Sequence, residues 1–556
     1  MRTHIKAALG EKPADIVLKG GYVADVFNHR IVKTDVAIEG RRIVGLGEYS
    51  GKKEIDVTGK FILPGLIDAH VHIESSLLIP SEYSRTVIPH GTTTVIADPH
   101  EIVNVCGAKG LEYMIDDGAV TAMNMCFMVP SCVPATPFDH SGCVLNAEDV
   151  KKLYADHSYG PKLLGLGEMM NYPGVVNCDY DTIEKLKASG IIDGHAPGIT
   201  GKGLNAYICG NIATDHECDT VENAVEKVSK GMFVFIREGT GTKNLEELIK
   251  GVTIYNADRF AFCTDDKHAD EILEHGTIRN CVRKAVKLGL DPITAIKMAS
   301  INPARVYGLA GRGAVAPNYY ADVIVADSLT LDNIEMVFFN GKLVAKDGKN
   351  LVELRDKKTD TKNVTDTVHL DKITPDMLFE KFDPSKPVIL MREGSLVTEG
   401  VYRENADGLV MVANIERHHH TGNIGKAYAA GFEIKGGAVA QTIGHDSHNI
   451  TVAGDNAEDM AAAVNALGSS GGIAVVKNGE VIKYMPLPIG GIMTDKSAEE
   501  AAAEFDKIHD AIKRISPNAS NSIFMVLCFI SLLVIPHLKL SDKGLFDVDK
   551  FDYFKN

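Results

Sequence analysis

The stretch GLIDAHVHIESS, residues 65–76, sets His70 and His72 two residues apart at the end of an apolar run, with Glu74 next on the same alternation. Side chains at i and i+2 of a strand point the same way, so the two imidazoles can converge on one object, and a metal ion is the partner that imidazole chemistry suggests. The bland alternative, two polar residues on a solvated strand face, fits poorly with the apolar FILPGLIDA before them. Four more residues stand at the polar ends of apolar runs: Glu168 closes LLGLGE, His195 follows IIDG, His216 lies in IATDHE and Asp265 follows FAFCT. A lone carboxylate at Glu168 is costly to bury without a cation or a full set of donors. Singly, each has an ordinary explanation as a core histidine, a helix N-cap or a loop acid; their recurrence at successive run ends points to one site. Such a set suits two divalent ions bridged by Glu168, with His70, His72 and Asp265 on one and His195 and His216 on the other. The chemistry would be hydrolysis. Imidazoles and carboxylates without thiolate suit manganese, iron or zinc.

These residues need a scaffold that brings run ends to one face. From residue 64 to 311, short apolar runs such as TTTVIADP, KLLGLGEMM and GMFVFIREG alternate with helical patterns such as TVENAVEKVSK and TIRNCVRKAVKLGL. Repeated strand and helix units predict an α/β fold, a (β/α)8 barrel, whose chemistry sits at the carboxyl ends of its strands. On either side the texture changes: ADIVLKGGYVADV and IVKTDVAIEGRRIVGLG before, and GAVAPNYYADVIVADSLTLDNIEMVFFNGKLVAKDGK after, read as short strands and turns. Residues 1–63 and 312–365 are therefore expected to form one composite β-sandwich domain. Residues 366–556 mix the helical NAEDMAAAVNALGSSGG with the strand pattern GIAVVKNGEVI and are expected to form an α+β domain.

A chain of 556 residues exceeds what one core serves, and 58 basic against 74 acidic residues give a formal charge of −16. That balance disfavours nucleic acid or an anionic membrane as partner. Ten cysteines without a C-x-x-C pair, and an N-terminus lacking the apolar core of a signal peptide, indicate the cytoplasm. The run IFMVLCFISLLVI, residues 523–535, is too short to span a bilayer, and its β-branched and aromatic content predicts a buried strand. His418, His419, His420, His445 and His448 crowd the C-terminal region. Their place among glycine turns suggests loops over the barrel mouth or a subunit contact rather than metal ligation.

PGLIDAHVHIESS, PHGTTTVIADPHEIVNV, GLGEMMNYPGV, DGHAPG, ATDHE and CTDD, followed by GNIGKAYAAGF and IGHDSHNI, together resemble the amidohydrolase superfamily over essentially the whole chain and, within it, the bacterial adenine deaminases. Cyclic-amide hydrolases of the dihydroorotase or hydantoinase type share the HxH barrel, but Glu168 stands where many relatives have a carboxylated lysine. The zinc deaminases of cytosine or of nucleic acid are set apart because no P-C-x-x-C follows the H-x-E of residues 72–74. The resemblance implies hydrolytic deamination of free adenine to hypoxanthine and ammonia in purine salvage, by a metal-activated hydroxide. It implies two divalent ions, manganese first and iron or zinc as alternatives, and a homo-oligomer, taken as a dimer. Asp265 would take the hydroxide proton and pass it towards the leaving amino group, and Glu74 or Glu101 would protonate the ring nitrogen beside C6. His100, in ADPHE, would orient the water or bind an additional ion.

Overall fold

Leu66–His72, Thr92–Ala97, Asn124–Val129, Leu163–Met169 and Ile192–Gly194 pair side by side in parallel, in chain order. The computed structural model describes residues 1–156, 158–352, 359–391, 397–518 and 522–554. Thr214–Asp215, Phe233–Arg237 and Phe260–Cys263 form a second parallel set. The last of these resumes beyond Thr264 as Asp265–Asp266, which pairs with the first strand through Asp265 opposite Val71 and Asp266 opposite His72. Between the two sets, the Ala213 N–H donates to the Ile192 carbonyl at 3.0 Å. The strands thus close into a (β/α)8 barrel. Covered on both faces, they read as continuous apolar runs rather than alternations, and Thr92–Ala97 is buried at every position. Side-chain caps fix where the crossover helices begin: Thr220 accepts from the Asn223 N–H, and Asn146 and Asp149 form a capping box.

The two flanks of the barrel meet in one nine-stranded sheet. Phe61–Pro64, the last strand before the barrel, pairs with Ala14–Asp25 on one side and, antiparallel, with Val323–Ala326 on the other, Leu63 opposite Ile324. This sheet folds over a core that includes Leu18, Val36, Ile62, Val323 and Phe338. Residues 353–358, within the second flank, lie outside the described residues.

The C-terminal region is built on an eight-stranded, mostly antiparallel sheet. Alternation splits its faces: Ala474 and Val476 pack with Met460 and Val464 of helix Ala457–Ala466, whereas Ile473 and Val475 face the cluster holding Phe505 and Ile508 of helix Ala498–Ile515. The run 523–535 is mostly buried, but it is not the expected strand. Ser522–Phe529 is an α-helix, and turns carry the chain on to Pro536. A segment packed on all sides has no apolar period, so nothing in its pattern separates helix from strand. Among the described residues no helix is long and apolar enough to cross a membrane.

Candidate metal centre

The first barrel strand ends at His72, with His70 and His72 both buried. Nδ1 of His72 lies 2.9 Å from the Asp98 carbonyl oxygen. That oxygen can only accept, so Nδ1 carries a proton and the ring is held with Nε2 towards the other polar residues. His72 Nε2 is 3.1 Å from His70 Nε2, 3.2 Å from Asp265 Oδ1 and 3.5 Å from Glu168 Oε1. Burial and the neighbouring His100 pull the His72 pKa down, but Asp265, Asp266 and Glu168 carry it well above the usual imidazole range. His70 shows the opposite balance: burial, then His216 and His72, hold it well below.

Glu168 is the penultimate residue of the fourth strand. Gly167 lets that strand lie against Asp98, since a Cβ there would come within 2.1 Å of Asp98 Oδ2, the atom that accepts the Glu168 N–H at 2.9 Å. Glu168 Oε2 is 2.9 Å from His195 Nδ1 and 3.2 Å from His216 Nε2, while Oε1 is 3.5 Å from both His72 Nε2 and His100 Nδ1. Burial alone would raise this carboxyl; the hydrogen bonds and charge of His195 and His216 hold it well below the carboxylate range. Asp265 closes the ring of residues from a left-handed backbone, φ +58°. Its Oδ2 accepts from Arg237 at 2.8 Å and from the Thr242 hydroxyl at 3.3 Å, which leaves Oδ1 to the two histidines.

His100 opens helix His100–Cys106, and its Nε2 is 3.4 Å from Glu101 Oε1. Both Glu101 oxygens are occupied by the C-terminal region, Oε1 by His445 Nδ1 and Oε2 by His448 Nε2. Burial would raise Glu101, but His445, His448 and His100 hold it well below the usual range. Glu74 departs from the expected alternation, because the strand stops at His72 and Ile73–Ser76 is a 3-10 turn. It is buried all the same. Oε1 accepts the Ile102 N–H at 3.2 Å and Oε2 has no hydrogen-bond partner among the described residues; burial, reinforced by Glu101, pushes its pKa up to about 7.

The structure therefore brings His70, His72, Glu168, His195, His216 and Asp265 together. His70, Glu168 and His216 offer ligand atoms within 4.8 Å of one another, and so do His70, His72 and Asp265. Lone pairs and carboxylate oxygens this close repel unless positive charge lies among them, and imidazole with carboxylate is a donor set that fits divalent cations. Residues 61–344 match the profile of the Amidohydrolase family, and residues 391–552 that of the adenine deaminase C-terminal domain. The chain is 44% identical to the adenine deaminase of Clostridium acetobutylicum, over 99% of both chains. It is 45% identical to adenine deaminase 2 of Desulfotalea psychrophila, over 99% of this chain and 98% of that one. The chain belongs to the adenine deaminase family.

In this adenine deaminase family member the C-terminal region walls the pocket. Leu532, Val534 and Ile535 of the 523–535 run line it together with His72, His216 and Asp265. His445 stacks on Phe529, ring centroids 4.5 Å apart. Of the clustered histidines, His445 and His448 reach the barrel through Glu101, and His419 through the Ser141 carbonyl at 2.7 Å. His418 holds the Ser447 carbonyl at 2.7 Å, and His420 pairs at the surface with Asp371 at 2.9 Å. Arg237, Glu217 and Asp446 are among the pocket residues that the sequence analysis does not single out. Arg237, which pairs with Glu217 as well as Asp265, ends the apolar run GMFVFIR, so the rule that found Glu168 applies to it equally. Glu217 adjoins His216, its Oε1 3.4 Å from His216 Nε2. Asp446 sits in the polar loop GHDSHN and does not close an apolar run.

Proposed function

We propose that this chain hydrolyses free adenine to hypoxanthine and ammonia at a centre of two divalent cations, His70, His72 and Asp265 holding one, His195 and His216 the other, and Glu168 shared. What carries the reading is the convergence of these six side chains at the carboxyl ends of barrel strands, in a chain whose full-length relatives are named adenine deaminases. Bound there, the cations would supply Lewis-acid charge and lower the pKa of a water towards neutrality. Asp265 Oδ1, the oxygen that Arg237 and Thr242 leave open, takes a proton from the attacking water and returns it to the leaving amino group. Between the two acids, Glu74 is the better candidate donor to the ring nitrogen beside C6, because its Oε2 has no hydrogen-bond partner among the described residues whereas both Glu101 oxygens are held. Glu101, held at both oxygens by His445 and His448, orients His100 instead. Phe529, Leu532 and Ile535 supply an apolar wall for the flat base.

The catalytic unit in this reading is residues 64–311, with residues 366–556 completing its pocket and the flanks 1–63 and 312–365 forming a supporting domain. Manganese is the first cation to test, with iron and zinc as alternatives. Ten free cysteines suit a reducing cytoplasm, where the activity would serve purine salvage, and a homodimer is the assembly to look for by sedimentation. Manganese-loaded wild type should release one ammonia per hypoxanthine. His70→Ala and His72→Ala should lose bound metal and turnover together; a variant that keeps full metal content and full activity removes the premise.

A further inference from the structure

Among the pocket carboxyl groups that have no part in the scheme above, Asp446 stands apart. Asp446 lines the pocket with His72, Glu168 and His216, yet it comes from the C-terminal region. It is 5% exposed. Its Oδ1 stands 3.9 Å from His100 Nε2, too far for a hydrogen bond, and its Oδ2 has no hydrogen-bond partner among the described residues. Buried carboxyl oxygens are almost always satisfied, because leaving one without a donor is destabilising; one that faces a pocket is explained when a ligand supplies the donor.

The loop that carries Asp446 is pinned on both sides. His445 and His448 hold Glu101, His418 holds the Ser447 carbonyl at 2.7 Å, and the fully buried Arg417 donates through Nε to the His448 carbonyl. The carboxyl is therefore presented to the pocket by a fixed support, as a recognition group must be. Across the same pocket Phe529, Leu532 and Ile535 offer apolar surface suited to the faces of a flat ring. Free adenine combines such faces with N–H donors on its edge, at the exocyclic amino group and at one imidazole nitrogen, N7 or N9 according to tautomer.

We propose that Asp446 is a specificity-determining residue that accepts a hydrogen bond from an N–H of the purine base, so that the C-terminal region reads the substrate while the barrel carries out the chemistry. The proposal rests on the adenine reading given above and names the group that recognises the base edge. It also gives the histidine-rich GHDSHN loop a purpose: His445 and His448 anchor it, and Asp446 does the reading.

The test is a cycle between protein and ligand. Inhibition constants are measured for purine, which lacks the amino group, and for 7-methyladenine and 9-methyladenine, each of which blocks one imidazole nitrogen, on manganese-loaded wild type, Asp446→Ala and Asp446→Asn. Adenine KM, kcat and metal content are recorded alongside. Neutral adenine carries a single imidazole N–H, so both methyladenines lack it, whereas purine lacks only the amino N–H. In wild type the methyladenines, if Asp446 reads the imidazole edge, or purine, if it reads the amino group, should bind about ten- to a hundredfold more weakly than adenine, the range of one charge-assisted hydrogen bond. In Asp446→Ala that penalty should vanish while the other probes keep theirs, and KM for adenine should rise more than kcat falls. Asp446→Asn keeps shape and an acceptor oxygen, and should reduce the penalty at least threefold, which preserves the test if the alanine variant folds poorly. Penalties unchanged in both variants overturn the proposal. So does loss of one metal equivalent on substitution, which would make Asp446, with His100 and Glu101, a cation ligand. Failure of wild type to deaminate adenine at all would instead sink the functional reading on which the proposal stands.

Discussion

Glu168→Gln isolates charge from shape at the carboxylate that the proposed function assigns to both cations. The carboxylate has Oε2 2.9 Å from His195 Nδ1 and 3.2 Å from His216 Nε2, and Oε1 3.5 Å from His72 Nε2, so it touches both ligand groups. An amide keeps the size and one acceptor oxygen but surrenders a full negative charge. At an effective dielectric of about 20, a unit charge about 4 Å from another is worth about 4 kcal/mol. Expressed wholly in the barrier, that is roughly a thousandfold in rate. The larger attraction of a dication and the hydrogen bonding that the amide retains act in opposite directions around this figure. Metal content at equilibrium should fall with turnover, one equivalent more than the other, while thermal unfolding moves little, because the barrel is held by its packed strands and helices. The assay is metal stoichiometry beside ammonia release at saturating manganese for both proteins. Unchanged stoichiometry with turnover within tenfold of wild type would refute the shared-ligand role and reduce Glu168 to an ordinary strand-end acid.

Glu74→Gln should keep both metals and lower kcat about a hundred- to ten-thousandfold, the range of a lost general acid, and Glu101→Gln should lower it less; the reverse order, read from kcat at full metal loading, would exchange the two roles. Lys227→Met should destabilise the fold by about 3–5 kcal/mol, measured by denaturant midpoint, because it strips the only cation from a fully buried pair. Lys227 Nζ lies 2.8 Å from Asp215 Oδ2 and 2.7 Å from the Ala196 carbonyl, with both side chains at 0% exposure. A shift below about 1 kcal/mol would show that Asp215 is satisfied without it.

What was legible in the sequence divides along physical lines. The barrel strands announced themselves because burial on both faces makes each a short continuous apolar run, and the polar residue that stops the run marks its carboxyl end. His195, His216, Glu168 and Asp265 all lie at such ends. The same logic fails for residues off strand ends. Glu74 looked like the next step of an alternation that in fact ends at His72, where the backbone enters a 3-10 turn. The helix Ser522–Phe529 was read as a strand, since a run apolar on every side has no period to read. Contacts between Glu101 and His445 or His448 join residues more than three hundred positions apart. No local pattern encodes such a pairing. Asp446 is invisible for the same reason, its significance lying wholly in what the folded chain places around it.

The most direct test of the account offers manganese-loaded wild type free adenine, adenosine, dihydroorotate and hydantoin in parallel, following absorbance and ammonia. The account predicts that adenine is converted to hypoxanthine with one ammonia released for each, that adenosine is turned over very poorly if at all because the pocket closes around a free base, and that neither cyclic amide is opened. Equal turnover of adenosine, or opening of a cyclic amide in place of adenine deamination, would contradict it.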